Sequence, residues 1–549
     1  ALGCYAAAPW GLHLLRRIAG IETSGNRHDT EIEHYVVVPN SRLLRRGAQL
    51  ALLTAIAVAF VPAFALLLVG MAVMVALGTL LCGGSFRAAV TMLFAAVTAA
   101  VVGFVLNLPW AMSLIGSDGW TSIVGVPVTA TRSLGVRNLA RFLDDSTGPS
   151  LVAVLLFLPV AVAPLVARAW RFTWAVRGAL LVAGFGAIAV LDDRSLLPFR
   201  MPEPGVLLVP VAIGVALSAA TLAAAFQDDV LGGSFGWRQP LGLITSVSIV
   251  IGVVPGLISV ADGQWGMPER TLTTVLTQLP TNPDTGDYRV LWIGDPLAIP
   301  VASFTYQPGI GYAITDDGAL TIENHWAGRP SDVEREVADS LRQIAAGVTL
   351  RGGRLLAQYG IRYVVVPVAD GANGTIDKPL PPPNGLVDVL EDQLDLAAPL
   401  TRPPNYLIYE NTAYTPTRSI LTPIGATASQ QAGGEALAGA DLRGSTPFAV
   451  GAPDRGDATG VVPAGTLHIA VPYDEGWTLT VDGKNVPGRR AFGSTMAFDM
   501  PATGNARLTY ATPASRSLAL AAQATATHRY AAESHNSHNT GRGSAWSAG

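Results

Sequence analysis

AQLALLTAIAVAFVPAFALLLVGMAVMVALGTLLCG, residues 48–83, is a continuous apolar stretch of 36 residues. At about 1.5 Å of rise per residue it would reach about 54 Å as a helix. That is too long for one crossing of a hydrocarbon layer about 30 Å thick, and slightly short for two. Pro62 offers a break near its middle, because proline removes a backbone donor and clashes with the preceding turn. Two readings follow: a tight helical hairpin broken at Pro62, or one long kinked helix.

Outward from that stretch the apolar pattern repeats. Segments near 49–64, 67–83, 88–106, 150–167, 177–191, 206–226 and 241–259 are candidate spans. One run of about 20 apolar residues is compatible with a buried core helix, but about seven in succession read as a polytopic membrane domain. Past residue 260 there is no membrane-length segment. The fold class expected is therefore an α-helical transmembrane bundle followed by water-soluble domains.

Composition agrees. Half the residues are hydrophobic and 14% are charged, against about 25% charged in ordinary soluble domains. A net charge of -4 gives no reason to expect nucleic acid as a partner. Cys4 and Cys82 both lie in the apolar half, so no disulfide framework supports the soluble half. Ala1–Leu15 resemble the tail of an apolar segment ending at Arg16 and Arg17. With no initiating Met and no visible signal peptide, the chain is expected to be a C-terminal portion of something longer.

Charge gives an orientation. Arg42, Arg45 and Arg46 precede the first span, Arg87 separates the second from the third, Arg168, Arg171 and Arg177 crowd the link before the fifth, and Arg238 precedes the seventh. With a hairpin at Pro62 all of these fall on one side, the cytoplasmic side by the positive-inside rule. A single long helix would split them, so charge favours the hairpin. Loops 107–149 and 192–205 and everything after Val260 then lie outside. Trp110, Trp120 and Trp265 fall near that outer boundary, as interfacial aromatics do, though each also reads as a packing residue.

In the soluble half, Tyr288-Arg289-Val290-Leu291-Trp292-Ile293 reads as a strand ending in the turn Gly294-Asp295-Pro296. Ser331 and Glu334 form a capping box opening a helix to about Ala346. A second helix near Gly353–Tyr359 leads into Ile361-Arg362-Tyr363-Val364-Val365-Val366, whose continuous β-branched run suggests a strand buried on both faces. Strand, helix, strand implies a parallel pair. Asp295 ends a strand where such sheets place ligands, or is a plain turn residue. From Gly465 to Thr512 the period becomes two. Trp477-Thr478-Leu479-Thr480-Val481 alternates and ends in the hairpin turn Asp482-Gly483, which points to a small antiparallel sandwich-like domain. The expected layout is 1–47 cytoplasmic segment, 48–260 transmembrane domain, 261–425 external α/β domain, 426–460 flexible Gly/Ala-rich segment, 461–514 external β-domain and 515–549 disordered tail.

Few residues carry recognisable chemistry. There is no HExxH, CxxC or paired-histidine zinc pattern, and neither a cofactor nor a divalent metal has a motif to hold it. Gly232-Gly233-Ser234-Phe235-Gly236 matches GxSxG, but a nucleophile elbow needs a strand before it and a helix after, so it reads as a loop. Asn373-Gly374-Thr375 fits a three-residue glycosylation sequon. His528, His535 and His538 lie in the polar tail. The outer face is more suggestive. Asp118, Asp144, Asp145, Asp192, Asp193 and Glu203 stand there, and such a carboxylate is able to act as general base toward an acceptor hydroxyl. Asp192, Asp193 and Glu203 are the candidate catalytic residues. Arg194 and Arg200 are candidates to hold a lipid-linked phosphate, and Trp110 and Trp477 to stack on sugar. The competing reading is that the acids only end spans and Trp477 fills a core.

Four segments carry a family resemblance: Asn107-Leu108-Pro109-Trp110; Pro202-Glu203-Pro204-Gly205-Val206-Leu207-Leu208-Val209-Pro210; Arg289 to Pro296; and Leu355 to Val366. With Gly476-Trp477, Val481-Asp482-Gly483 and Tyr510, they resemble actinobacterial polytopic membrane proteins associated with cell-envelope glycosyltransferases, often fused to a family-2 glycosyltransferase domain. The resemblance implies an integral-membrane glycosyltransferase-like fold, with a polyprenyl-phosphate-linked sugar, membrane lipid and an envelope glycan acceptor as partners. In that family the catalytic acid sits in the first external loop. Here the corresponding turn, near Ala63–Leu67, has none. Glycosyl transfer at the outer leaflet is therefore weighed against a non-catalytic glycan-binding scaffold and a lipid-linked sugar transporter. The transporter reading lacks the inverted repeats and intramembrane charges common in such proteins.

Overall fold

The computed structural model describes residues 2–24, 32–108, 110–114, 119–124, 135–142, 150–199, 201–227, 236–261, 286–317 (without Leu297), 330–369, 379–398, 405–451 and 457–511, with isolated positions elsewhere. The chain divides into two compact units, one essentially helical and one built on Gly266–Ala514.

In the helical unit, α1 (Leu2–Ile18) is followed by a two-stranded antiparallel hairpin of β1 (Ile21–Ser24) and β2 (Ile32–Tyr35). Then come α2 (Asn40–Phe60), α3 (Phe64–Leu81) and α4 (Phe86–Leu106). The 36-residue stretch divides where Pro62 predicts, at an extended Val61. The short helices α5 (Gly119–Val124), α6 (Gly135–Ala140), α7 (Ser150–Leu155) and α8 (Leu158–Val166) precede α9 (Ala169–Asp193), α10 (Pro204–Ala225) and α11 (Arg238–Ala261).

Among the described residues five helices, α2, α3, α4, α9 and α10, are long and apolar enough to cross a membrane; the expected count of about seven is not confirmed. The segment expected as the fourth span is split between α7 and α8, with Pro159 in the first turn of α8 and Pro164 inside it. In α11, the expected seventh, the described apolar part is limited to Gln239–Val254. The outward faces identify the solvent. On α2 and α4, Ile56, Phe60, Phe94, Val101 and Val105 are all more than half exposed, a pattern that water penalises and hydrocarbon accepts. Inside, hydroxyls are satisfied one turn back, Thr54 on Leu50 O, Thr79 on Val75 O and Ser218 on Gly214 O, as a water-free environment requires. These features describe a multi-pass membrane protein.

Small residues line the contact between α9 and α10. A Cβ on Gly214 would lie 2.5 Å from the carbonyl oxygen of Gly178, and one on Gly178 would lie 2.8 Å from Ser218 Oγ. The α9–α10 contact therefore depends on Gly178, Gly214 and Ser218, as small-residue packing does between membrane helices.

The second unit contains β3 (Arg289–Gly294), β4 (Phe304–Gln307), β5 (Ile310–Asp316), β6 (Ile361–Pro367), β7 (Leu396–Ala397) and β8 (Tyr406–Asn411) in one sheet, order β4-β5-β3-β6-β8-β7. Only β3 and β6 pair in parallel, with Leu291 opposite Val364; the remaining pairs are antiparallel. The β-branched run of β6 is central and buried on both faces. Val364 and Val366 face a core with Leu291, Ile293 and the helix Asp332–Ala345, while Tyr363 and Val365 face a second core with Val290 and Trp292. The Ser331–Glu334 capping box is formed in both directions.

The chain then builds β9 (Arg418–Ile420), β10 (Thr446–Pro447), β11 (Ala458–Val462), β12 (Gly465–Pro472), β13 (Trp477–Val481), β14 (Lys484–Val486), β15 (Gly488–Ala491), β16 (Thr495–Met500) and β17 (Gly504–Tyr510). They form two antiparallel sheets, β10-β9-β12-β16-β15 and β11-β17-β13-β14. Asp482 and Gly483 take positive φ at the β13–β14 turn, as a two-residue hairpin requires. The expected boundaries differ here. Residues 426–460 are not a featureless insertion: they include the helix Gly434–Gly439 and strand β10, and Leu437, Leu442 and Phe448 are buried. Three apolar anchors suffice to order a segment whose Gly/Ala content suggested otherwise. Most of the 515–549 tail, His528, His535 and His538 included, lies outside the described residues.

Candidate functional site

Charge is distributed unequally between the two ends of the helical unit. Helix α9 begins after Arg168, carries Arg171 and Arg177 in its first turns, and ends in Asp192 and Asp193. This is the reverse of what the helix dipole favours, since anions are stabilised at the N-terminus and cations at the C-terminus. At its arginine end α9 meets α1, where Arg16 stacks on Trp174 at 5.6 Å, and α3, where Arg177 Nε donates to Thr79 Oγ1 at 3.2 Å. At its acidic end the chain turns into α10 through Glu203.

The acidic end is held by its own carboxylates. Asp192 Oδ1 accepts from the Met201 N–H at 3.1 Å, which ties the approach to α10 to the end of α9. Asp193 Oδ2 accepts from the Gly135 N–H at 3.0 Å, at the start of α6. The same two loops meet again where Trp120 packs edge-on against Phe199 at 5.7 Å. The structure thus brings Asp192, Asp193 and the loop before Glu203 to one face. Glu203 is exposed, and it opens α10 without a side-chain cap. Arg194 is exposed at the α9 terminus and Trp110 is exposed in a short 3-10 turn. Arg200, Asp118, Asp144, Asp145, Trp265, Ser234 of the GxSxG string and the Asn373 sequon lie outside the described residues.

Trp477 is elsewhere, in the second unit. It is 5% exposed, belongs to the sandwich core with Leu479, Phe498 and Leu508, and packs on Tyr510 at 5.1 Å. A ring so placed offers no open face to a sugar. Asp295 follows β3 in a turn, its carbonyl accepting from Ala298 and Ile299. A second group in this unit has the form of an aromatic cage already filled. The Arg362 guanidinium lies 5.5, 5.2 and 5.6 Å from the rings of Tyr288, Tyr363 and Tyr414 and pairs with Glu410 at 3.2 Å. Burial pushes the Tyr288 phenol up to about 12. Among the described residues no group of three or more His, Cys, Asp or Glu is placed to hold a metal.

The polar centre that sequence reading missed is at the arginine end. Arg177, expected in a connecting link, is fully buried about two turns inside α9. It donates to both carboxylate oxygens of Glu33, at 2.5 and 3.0 Å, and lies 4.6 Å from the Trp174 ring. Tyr35 also donates to Glu33, at 2.9 Å. The signal available was an arginine inside an apolar run, which demands a partner; the partner was out of sight, in the β1–β2 hairpin.

No family model and no curated protein matches the chain. Among solved structures, the mycobacterial arabinofuranosyltransferase AftD, determined by single-particle cryo-EM, is similar at 14% identity with a TM-score of 0.30. The alignment covers 93% of this chain and 50% of that one, so the chain spans about half the length of AftD.

Proposed function

We propose that this chain serves a membrane glycosyltransferase system of the cell envelope, acting on a lipid-linked sugar at the face where Asp192, Asp193 and Glu203 stand. Gly266–Ala514 would then be displayed outside the cytoplasmic membrane. The supporting observation is the polarity of the bundle. Arginines gather at one end of α1, α2 and α9, and acids at the other end of α9; on α2 and α9 this runs against the preference of the helix dipole, and on α1 it agrees with it. Retention of arginines on the cytoplasmic side accounts for that polarity; helix energetics do not. An outer face bearing these carboxylates, with Arg194 beside them, suits an acceptor hydroxyl that must lose a proton.

Two measurements test this. A Val461→Cys substitution, on an exposed sandwich position, in a background lacking Cys4 and Cys82, is expected to react with an impermeant maleimide in intact cells. Labelling only after the cells are opened would overturn the orientation. The triple variant Asp192→Asn, Asp193→Asn, Glu203→Gln is expected to lose glycosyl transfer from a polyprenyl-phosphate sugar donor. Undiminished transfer would remove these residues as the site.

One observation favours a second reading. Asp192 and Asp193 each hold a backbone N–H that fixes a loop, which suits a scaffold that captures glycan without turnover. Glycan retention by the intact protein without any transfer would select it.

A further inference from the structure

The five arginines Arg16, Arg17, Arg42, Arg45 and Arg46 fall in the last turn of α1 and the first turns of α2. Two of them are engaged by the protein. Arg16 donates to the Ile21 carbonyl at 3.1 Å and stacks on Trp174. Arg46 donates to the Arg17 carbonyl at 2.5 Å, which joins the end of α1 to the start of α2. That junction places like charges together: Arg46 lies within electrostatic reach of Arg17, Arg42 and Arg45, and among the described residues the opposing carboxylate acting on it is Glu22. No acid occupies the first turn of α2. Arg17 and Arg42 point to the exterior and Arg45 is half-buried.

His13 and Glu22 lie within electrostatic reach of this patch, and exposed apolar residues flank it along the chain. Val36, Val37 and Leu44 are 48%, 68% and 74% exposed beside the arginines. Guanidinium groups next to exposed aliphatic side chains match the boundary between phosphate headgroups and acyl chains, where both find partners. A soluble phosphate would satisfy the arginines and leave the valines and Leu44 in water.

We propose that Arg17, Arg42 and Arg45, braced by the Arg46–Arg17 contact, seat the phosphate headgroup of an anionic phospholipid, with Val36, Val37 and Leu44 against its acyl chains. The inference rests on the bundle lying in a bilayer and is independent of glycosyl transfer, so loss of transfer activity leaves it untouched.

The full chain in neutral detergent is titrated with phosphatidylglycerol, phosphatidylcholine or inorganic phosphate while its thermal unfolding is followed. Phosphatidylglycerol is expected to raise the midpoint saturably, and phosphatidylcholine and phosphate to leave it in place. Each arginine near a surface is worth about a fivefold change in apparent affinity. The variant Arg17→Gln, Arg42→Gln, Arg45→Gln is therefore expected to bind roughly a hundredfold more weakly, and the corresponding triple lysine variant to keep most of the affinity. If the glutamine triple fails to fold, Arg42→Gln alone, at the exposed position, is expected to show its fivefold loss. Equal stabilisation by phosphatidylcholine, equal stabilisation by phosphate alone, or unchanged affinity in the folded glutamine variants would each overturn the proposal.

Discussion

Arg177 and Glu33, 144 residues apart in sequence, form a two-contact ion pair in which the arginine side chain is fully buried and the glutamate side chain is 7% exposed. Such a pair fixes geometry more than it adds stability, because both ions surrender their hydration. Here it locks the β1–β2 hairpin onto the ends of α3 and α9.

Removing one partner strands the other. Arg177→Met is expected to destabilise the protein by about 3–5 kcal/mol, and the double variant Arg177→Met, Glu33→Gln to recover most of that loss. Unfolding midpoints of the detergent-solubilised proteins measure both; equal losses in the single and double variants would show that the pair is not coupled.

Gly214 and Gly186 make an internal comparison. A Cβ on Gly214 meets Gly178 O at 2.5 Å and Val182 Cγ2 at 2.7 Å, whereas one on Gly186 meets nothing within 4 Å. Gly214→Ala is expected to cost about 1–3 kcal/mol by forcing α9 and α10 apart. Gly186→Ala should be neutral or stabilising by up to about 1 kcal/mol, from lost freedom of the unfolded chain. Thermal unfolding of the two variants side by side checks the assignment.

His468 is a pH-dependent liability of the second unit. Its Nε2 meets Thr495 Oγ1 at 3.0 Å, Nδ1 has no hydrogen-bond partner among the described residues, and burial, reinforced by Arg289 and Arg489, lowers its pKa to about 3. The unfolded chain takes up a proton near pH 6.5 and the folded chain does not, so stability is held above that pH. It is lost progressively as pH falls toward 3, with a slope of at most about 1.4 kcal/mol per pH unit. Between pH 6.5 and 4.5 the wild-type midpoint should fall more steeply than that of His468→Gln; parallel curves would remove His468 as the cause.

Trp477 separates packing from binding. As a core residue, Trp477→Ala is expected to cost about 3–5 kcal/mol. Trp477→Phe, which keeps an aromatic ring in the core, should retain most of the stability. A Trp477→Phe protein of full stability that had lost glycan retention would show that the ring does contact sugar.

Local chemistry was legible in the sequence. The Pro62 break, the Ser331–Glu334 box and the Asp482-Gly483 turn each depend on a few adjacent residues, and each appears where the sequence places it; the parallel β3–β6 pair followed from the order of strand, helix and strand. What escaped was long-range compensation. Arg177 read as a marker of a helix end because an apolar helix normally excludes it, and Glu33, far away in the chain, pairs with it about two turns inside α9. Residues 426–460 read as loose because Gly and Ala dominate, while Leu437, Leu442 and Phe448 are anchored by a core that other segments supply. At the acidic face, the sequence marks Asp192 and Asp193 at the end of α9 but not which backbone amides they hold.

Glu336, on the helix Asp332–Ala345, accepts from Tyr359 at 3.2 Å and from Ser494 of the sandwich at 2.6 Å, and Arg289 of β3 reaches the Ala470 carbonyl in β12. Leu442, Ala491 and Phe492 complete the hydrophobic core beneath the same helix. The mixed sheet and the sandwich are therefore not interchangeable modules. A graft that transplanted either into another chain would carry an open wound of apolar surface with it, and homologous exchange between such proteins is constrained to move the pair together.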